Sequence, residues 1–360
     1  METLNAVIKR RTWSSREMIA DRAVGALLGQ AVGDALGFRY QYRSGEDVRN
    51  QIAMDKDNSG FLPIRGSAVF DFPPGQVSDG SELCMLVARS LCRTGSMSVG
   101  DVITQLLKWA DSDPLNMDET MLGVLNLGVH TTSSQLLTHE QLEQRVLSNA
   151  FTNNVCNLSN KCLFIGVPLG LASVHSESIG SASARVARII QPNAIAIDAL
   201  RVLATTIRSL IVRADVQKAV DIAYNTSRSY VVREHIALSA LRPHPQLEPD
   251  DDDSSLREEL RIDYLGIALQ CAFYQLQHAK TFCEGVIAAL QIGGDTTANA
   301  AITAALLGAR FGSNAIPKQW RDTVTMAVLD RHEAFPEVCF SDVNVLVDQL
   351  LNKVSLGSIS

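Results

Sequence analysis

The segment Gly293–Ala309, GGDTTANAAITAALLGA, joins a glycine-rich polar turn to the longest apolar stretch of the chain. Paired glycines let backbone N–H groups approach a ligand, and the N-terminus of a helix attracts an anion. Asp295 at the same point could instead hold a cation through its oxygens. The segment therefore predicts a helix with a candidate binding site at its N-terminal turn.

Apolar residues recur at helical spacing through most of the rest of the chain. Clear examples lie within 83–91, 102–110, 196–211 and 265–276. Cap residues or prolines precede helical runs at Ser78, Ser98, Pro192, Thr281 and Pro317. No run alternates apolar and polar residues over the length of a strand, and no Asn-Gly hairpin signal occurs. The pattern predicts an all-α fold, built as one compact multi-helix domain.

The predicted domain covers residues 21–355, with residues 1–20 as an N-terminal extension. Within it, residues 242–255 hold three prolines and the Asp250–Asp253 charge run. Such a composition breaks helices and favours solvent, so this stretch is predicted to be an acidic surface loop.

Charge and composition narrow the classes of function. The 360 residues include 32 Lys+Arg and 39 Asp+Glu, a formal net charge of −7, and 46% hydrophobic residues, which excludes general disorder. The acidic balance argues against a nucleic-acid partner, because that affinity depends on cations that neutralise phosphates. No signal-peptide pattern or bilayer-length apolar stretch occurs, and the seven scattered cysteines include no CxxC pair. We expect a soluble cytoplasmic protein with neither a membrane nor a nucleic-acid partner.

Two more segments combine glycine with acids. Gly33–Gly37, GDALG, follows another glycine-rich turn of helix and is equally consistent with close helix packing and with ligand approach. Pro74–Glu82, PGQVSDGSE, begins a helix with Ser78 as cap and acids placed favourably against the helix dipole. Asp79 and Asp295 thus lie at two helix starts more than 200 residues apart. We infer a shared site between helices.

Taken in order, these segments resemble the ADP-ribosylglycohydrolase family, which includes dinitrogenase-reductase-activating glycohydrolases and ADP-ribosylhydrolases. The matching segments are 33–37, 75–82, 109–116, 160–168, 192–193, 293–301, 308–309 and 316–320. The resemblance implies a compact all-α fold whose cleft holds two Mg²⁺ ions. It also implies hydrolysis of the glycosidic bond between ADP-ribose and a protein side chain.

Most carboxylates of the family pattern are replaced in this chain. Neutral residues stand at four expected acidic positions, namely Gln41, Gly80, Asn116 and Thr297. Two Mg²⁺ ions need several carboxylates for charge compensation, and only Asp79 and Asp295 remain of the matched acids. With Ser78 they form at most a remnant metal site. We therefore predict that the dinuclear Mg²⁺ centre is absent or weak, that hydrolysis is severely reduced, and that no catalytic residue can be assigned.

Ligand binding could persist without the metals. The candidate ligand-binding residues are Gln41, Ser78, Asp79, Asn116, Asn160, Gly293, Gly294, Asp295, Thr296 and Thr297. The leading hypothesis is a catalytically impaired homologue that binds ADP-ribose-type ligands, ADP-ribosylated protein or a protein partner in the family cleft.

Two alternatives remain open. One is an active hydrolase with an altered or single-metal site, and the other is a structural or interaction protein with a vestigial cleft. Asp118 and Glu119 could supply displaced carboxylates to a working site. A continuous helix, however, would turn them about 200° and 300° away from residue 116.

Overall fold

The helix that follows Asp295 lies at the centre of the fold. The computed structural model describes residues 15–126, 138–172, 176–244, 261–327 and 335–353. In chain order its elements are α1 (Ser15–Gly37), β1 (Arg43–Ser44), α2 (Gly45–Asp55), α3 (Asp79–Thr94), α4 (Val99–Asp111), α5 (Glu119–Leu125), α6 (His139–Asn154), α7 (Gly166–Ala172), α8 (Ser176–Ile190), α9 (Ala194–Arg213), α10 (Val216–Thr226), α11 (Tyr230–Leu238), α12 (Leu265–His278), α13 (Phe282–Leu290), β2 (Gly293–Gly294), α14 (Thr296–Phe311), α15 (Lys318–Thr325) and α16 (Val343–Lys353). The predicted all-α class is confirmed.

Several predicted helix starts are found at the expected residues. Ser78, Ser98 and Thr281 cap α3, α4 and α13 by accepting backbone N–H groups through their side chains. The described part of α1 covers Ser15–Gly37, so the predicted boundary between residues 20 and 21 falls inside this helix. The predicted acidic loop lies outside the described residues beyond His244. Among the described residues, no helix is long and apolar enough to cross a membrane.

Helices α1 and α14 pack against each other at very short range. Glycines at positions 25, 29, 33 and 37 place the bare backbone of α1 against α14. A Cβ atom built on Gly33 would lie 2.3 Å from the carbonyl oxygen of Ala300. Close helix packing therefore explains the glycine spacing of this segment. It also brings the C-terminus of α1 beside the N-terminus of α14, which is buried from Thr296 to Ala309.

We expect Gly33→Ala to lower the free energy of unfolding by about 1–3 kcal/mol, because the added methyl group overpacks a backbone contact. Urea denaturation measures the change. Gly100→Ala in α4 is the matched control, since its Cβ would meet only the end of the Glu143 side chain, at 3.0 Å. That control should be neutral or slightly stabilising. Equal effects of the two substitutions would contradict the packing argument.

The pair of strands explains the two adjacent glycines. Arg43 and Ser44 pair in antiparallel register with Gly294 and Gly293. Both glycines have positive φ, 81° and 69°, which residues with a side chain rarely adopt. The Tyr42 N–H donates to the Gly294 carbonyl at 2.9 Å. The strand pair therefore holds the segment after α1 against the N-terminus of α14.

Candidate functional site

A cavity of about 670 Å³ opens where the N-termini of α3, α5 and α14 meet the turn that begins at Asn160. Seven of the ten predicted ligand-binding residues line it: Gln41, Ser78, Asp79, Asn116, Asn160, Asp295 and Thr297. The other three lie behind the wall, because Gly293 and Gly294 pair with β1 and the Thr296 hydroxyl donates to the Gly37 carbonyl. Residues far apart in the chain thus line one cavity.

Amide groups of the protein donate hydrogen bonds to both oxygens of the Asp295 carboxylate. Its Oδ1 accepts from Gln41 Nε2 at 2.8 Å and from the Ala298 N–H at 3.2 Å, and its Oδ2 accepts from Asn160 Nδ2 at 2.7 Å. Gln41 Oε1 in turn accepts from the Thr297 N–H at 2.9 Å. A glutamate at position 41 could not donate to Asp295, so the amide suits this position where no cation lies between them.

A lysine ammonium forms a buried ion pair with the Asp79 carboxylate. Lys161 Nζ lies 2.5 Å from Asp79 Oδ1 and 2.9 Å from Asp118 Oδ2, while the Asp118 N–H donates to Asp79 Oδ2 at 3.0 Å. Lys161 is 4% exposed and Asp79 is 1% exposed. Burial alone would lower the pKa of Lys161, but the carboxylates of Asp118 and Asp79 outweigh it and hold that pKa above its usual range. The lysine is therefore charged.

The structure corrects the argument against Asp118. Helix α4 ends at Asp111 and α5 begins at Glu119, with Asp118 as its N-cap, so the helical angles counted from Asn116 do not apply. The Asp118 side chain lines the cavity, and 34% of it remains exposed. Burial raises the pKa of Asp118, against the opposing effect of the Lys161 ammonium. A carboxylate outside the family pattern therefore does enter the site.

The ring of Phe164 fills the space beside Gly80. A Cβ atom on Gly80 would lie 2.7 Å from two atoms of that ring. The same ring has its centroid 5.6 Å from Lys161 Nζ. An aspartate at position 80 would therefore need the ring to move.

Aromatic side chains form one rim of the cavity, and the sequence interpretation did not include them. Tyr42 and Phe70 have ring centroids 6.3 Å apart, and those of Phe38 and Phe70 are 5.9 Å apart. Tyr42 is 61% exposed and has φ of 61°, which is uncommon for a residue with a side chain. Its neighbours in the chain are fixed, Gln41 by Asp295 and Arg43 by strand pairing. The adjacency to Gln41 was the only sequence signal for Tyr42.

The residues present do not fit a pair of Mg²⁺ ions. Carboxylate oxygens are the protein ligands that Mg²⁺ prefers. Here Asp79 and Asp118 share the Lys161 ammonium, and Asp295 accepts amide donors on both oxygens. Over the described part of the chain, no three His, Cys, Asp or Glu side chains form a group that could hold a metal ion. A cation would have to displace donors of the protein.

Behind the cavity, Asp34 holds the start of α3. Its carboxyl accepts from the Ser78 N–H at 3.1 Å and from the Ser78 hydroxyl at 2.7 Å. Burial raises the pKa of Asp34 from 3.8 to about 7, although the hydrogen bonds from Ser78 oppose the rise. Folding therefore favours the protonated carboxyl.

We expect the contribution of Asp34 to stability to decrease as pH rises, because the folded protein binds the Asp34 proton more tightly than the unfolded chain. The contribution to the free energy of unfolding should fall by about 4 kcal/mol between about pH 4 and pH 7. Asp34→Asn, which stays neutral, should remove this component from urea denaturation measured across that range. An unchanged pH profile in Asp34→Asn would contradict the assignment.

Asp55 provides a control of opposite sign. Burial raises the pKa of Asp55, but hydrogen bonds from Arg39, Gln51 and Tyr40 outweigh it, and the net pKa is lowered. Its contribution is present above the unfolded pKa and is lost as pH falls. Asp55→Asn should therefore leave the decline between pH 4 and pH 7 in place.

Comparison with known proteins gives a consistent assignment. The family model described as ADP-ribosylglycohydrolase matches residues 15–357. The ADP-ribosyl-dinitrogen-reductase glycohydrolase of Rhodospirillum rubrum is 24% identical over 311 residues, 86% of this chain and 92% of that protein. The ADP-ribosylarginine hydrolase Tri1 of Serratia proteamaculans is 21% identical over 309 residues, 84% of this chain and 75% of that protein. The solved ADP-ribosylglycohydrolase-related protein complex has the same fold, with a TM-score of 0.63, 22% identity, and coverage of 93% of this chain and 99% of that chain.

Proposed function

Because the chain belongs to the ADP-ribosylglycohydrolase family, we propose that it is a catalytically impaired homologue that binds an ADP-ribosyl group, free or attached to protein, in the cavity. One observation carries the proposal. The two acids that remain from the family pattern, Asp79 and Asp295, are already bound by an ammonium and by amides of the chain itself.

The impairment follows from the chemistry of glycosidic cleavage. Cleavage needs a proton donor, an activated water and stabilisation of charge, which metal ions or free carboxylates supply. Asp79 is held in an ion pair and Asp295 in three hydrogen bonds, so neither is available for these roles without rearrangement. Gly80 and Thr297 supply no carboxylate in their place.

The capacity to bind follows from the volume and the polar wall. A cavity of about 670 Å³ lies within the range of small-molecule sites, about 300–1,000 Å³. The amides of Asn116 and Asn160 and the hydroxyl of Thr297 belong to residues of its lining and suit ribose hydroxyls and phosphate oxygens, whereas the Ser78 hydroxyl is bonded to Asp34.

The charge of the residues that line the cavity affects which ligands bind and how ionic strength changes their affinity. The charged lining residues are Asp79, Asp118, Glu119, Asp263 and Asp295 against Lys161 and Arg261. This acidic excess repels a diphosphate, and salt screens that repulsion. Affinity for ADP-ribose should therefore be modest and should not fall as ionic strength rises, whereas binding of a basic protein segment should weaken.

Calorimetry with ADP-ribose, with Mg²⁺ and with EDTA, tests binding, and ADP-ribosyl-arginine and ADP-ribosyl-serine peptides test turnover. We expect saturable binding and no turnover above background. Asn160→Ala should weaken binding, whereas Gln349→Ala, in a separate cavity, should not. Turnover at the rate of family hydrolases would overturn the proposed impairment, and absence of binding at millimolar ADP-ribose would overturn the proposed ligand.

The position of Asp118 favours a second candidate, a slow hydrolase with an altered site. Burial raises the pKa of Asp118 against the Lys161 ammonium, and 34% of its side chain is exposed, so a carboxyl released from this ion pair suits a general acid at near-neutral pH. Under this candidate, turnover should decrease as pH rises through the pKa of Asp118, and Asp118→Asn should abolish it. Turnover that Asp118→Asn leaves intact would exclude this assignment.

A further inference from the structure

We propose that the Lys161 ammonium is a built-in replacement for a bound metal ion, and that its remaining N–H donor binds the ligand. The ligand part of this inference rests on the proposed function, whereas the replacement itself does not. The proposal assigns a cation position between Asp79 and Asp118, to which a divalent ion could bind only after the lysine is removed.

The two carboxylates converge on one point. Lys161 Nζ is 2.5 Å from an Asp79 oxygen and 2.9 Å from an Asp118 oxygen, so one cation serves both. Asp79 is held in place by the Asp118 N–H, and Asp118 by its role as cap of α5. Oxygens fixed in this way around one centre are the arrangement that a hard divalent cation uses.

The lysine backbone is also fixed. Lys161 begins a short 3₁₀ turn that ends at Ile165, and the preceding Asn160 is held by its side chain on Asp295 and by its N–H on the Asp263 carbonyl. The buried side chain then lies beside the Phe164 ring. The fixed backbone at residues 160–165 and the neighbouring Phe164 ring therefore both restrict the position of the ammonium.

One N–H donor of the Lys161 ammonium has no partner among the described residues and remains for a ligand. An ammonium group has three N–H donors, and Asp79 and Asp118 account for two of them. Because Lys161 also lines the cavity, the third donor can reach an oxygen of a ligand there. A ribose hydroxyl or a phosphate oxygen accepts such a bond, and a charged donor makes it stronger than a neutral one.

An ammonium and a divalent metal ion leave different net charges on the Asp79 and Asp118 pair. One ammonium leaves one negative charge on the Asp79 and Asp118 pair, whereas a divalent ion would balance both carboxylates. Removing the lysine should therefore create an attractive site for Mg²⁺ or Mn²⁺. With the lysine present, the same position repels them.

The experiment compares wild type with Lys161→Ala, and Lys318→Ala serves as control because Lys318 is a surface lysine in a pair with Asp322. Calorimetry with Mg²⁺ and Mn²⁺ alone comes first. We expect Lys161→Ala to gain saturable binding of about one ion, and Asp79→Asn in the same background to lose it. Wild type and Lys318→Ala should show none. If Lys161→Ala is unfolded, Lys161→Ser, whose short side chain also leaves the cation position between Asp79 and Asp118 open, is measured in the same way.

The second measurement is ADP-ribose affinity in EDTA and in Mg²⁺. In EDTA, the affinity of Lys161→Ala for ADP-ribose should be about tenfold or more below that of wild type, and Mg²⁺ should restore it. The affinity of wild type should be the same in EDTA and in Mg²⁺. Failure of both lysine variants to gain metal binding would overturn the replacement, as would wild-type affinity that needs Mg²⁺. If no protein binds ADP-ribose but Lys161→Ala binds metal, the replacement stands and the proposed function fails.

Discussion

Restoring the four neutralised positions of the family pattern is expected to destabilise the protein and leave it inactive. The variant combines Gln41→Glu, Gly80→Asp, Asn116→Asp and Thr297→Asp. A side chain at position 80 would begin 2.7 Å from the Phe164 ring, and Gln41→Glu would remove the amide that donates to Asp295. Overpacking and unpaired buried charge should together lower the free energy of unfolding by more than about 3 kcal/mol. Urea denaturation and turnover of ADP-ribosyl-arginine measure the two effects.

Adding Lys161→Gly and Phe164→Ala to that variant should change the outcome. These substitutions release Asp79 from its ion pair and clear the space beside position 80. We then expect Mg²⁺ binding and turnover about 100-fold or more above the fourfold variant, since metal ions supply several kcal/mol of transition-state stabilisation. Lys161→Gly and Phe164→Ala alone, in the wild-type background, are the control. High activity of the fourfold variant by itself would contradict the view that lysine and phenylalanine close the site.

The sequence alone does not show what closes the site, because the residues that take the place of the lost acids are distant in the chain and adjacent only in the fold. The replacement at Gly80 is visible in the chain, but the ring that covers it belongs to Phe164, 84 positions later. In the same way Lys161 stands out as an added positive charge, yet only the fold shows that it lies on both Asp79 and Asp118. Residue types indicated that acids were lost, whereas the geometry indicates what took their place.

Errors in the sequence interpretation came from assumed local structure. The angles that turned Asp118 and Glu119 away from residue 116 assumed a continuous helix, although Asp118 is the cap of a new helix and its side chain lines the cavity. The strand pair at Arg43–Ser44 and Gly293–Gly294 is only two residues long on each side, too short for an alternating pattern to be recognised. Long amphipathic helices and their side-chain caps were predicted well because each depends on residues close together in the chain.

Replacing Lys161 with methionine should be among the most destabilising single changes in the chain. Methionine keeps much of the volume but removes the charge, so Asp79 and Asp118 would face each other without a cation. Breaking one partner out of a buried ion pair costs about 3–5 kcal/mol. The loss should shrink as pH falls from 7 towards 5, because two like charges raise the pKa of a carboxyl and protonation then relieves their repulsion.

Urea denaturation at both pH values measures this loss, with Lys318→Met as the exposed control for a solvated pair. Combining Lys161→Met with Asp79→Asn and Asp118→Asn should recover much of the stability, because no uncompensated charge then remains. A loss of the same size in the triple variant would mean that Lys161 stabilises the fold through packing against Phe164. A loss of stability seen only when Asp79 and Asp118 are both retained would instead mean that the two carboxylates need a cation between them. In this protein Lys161 supplies that cation.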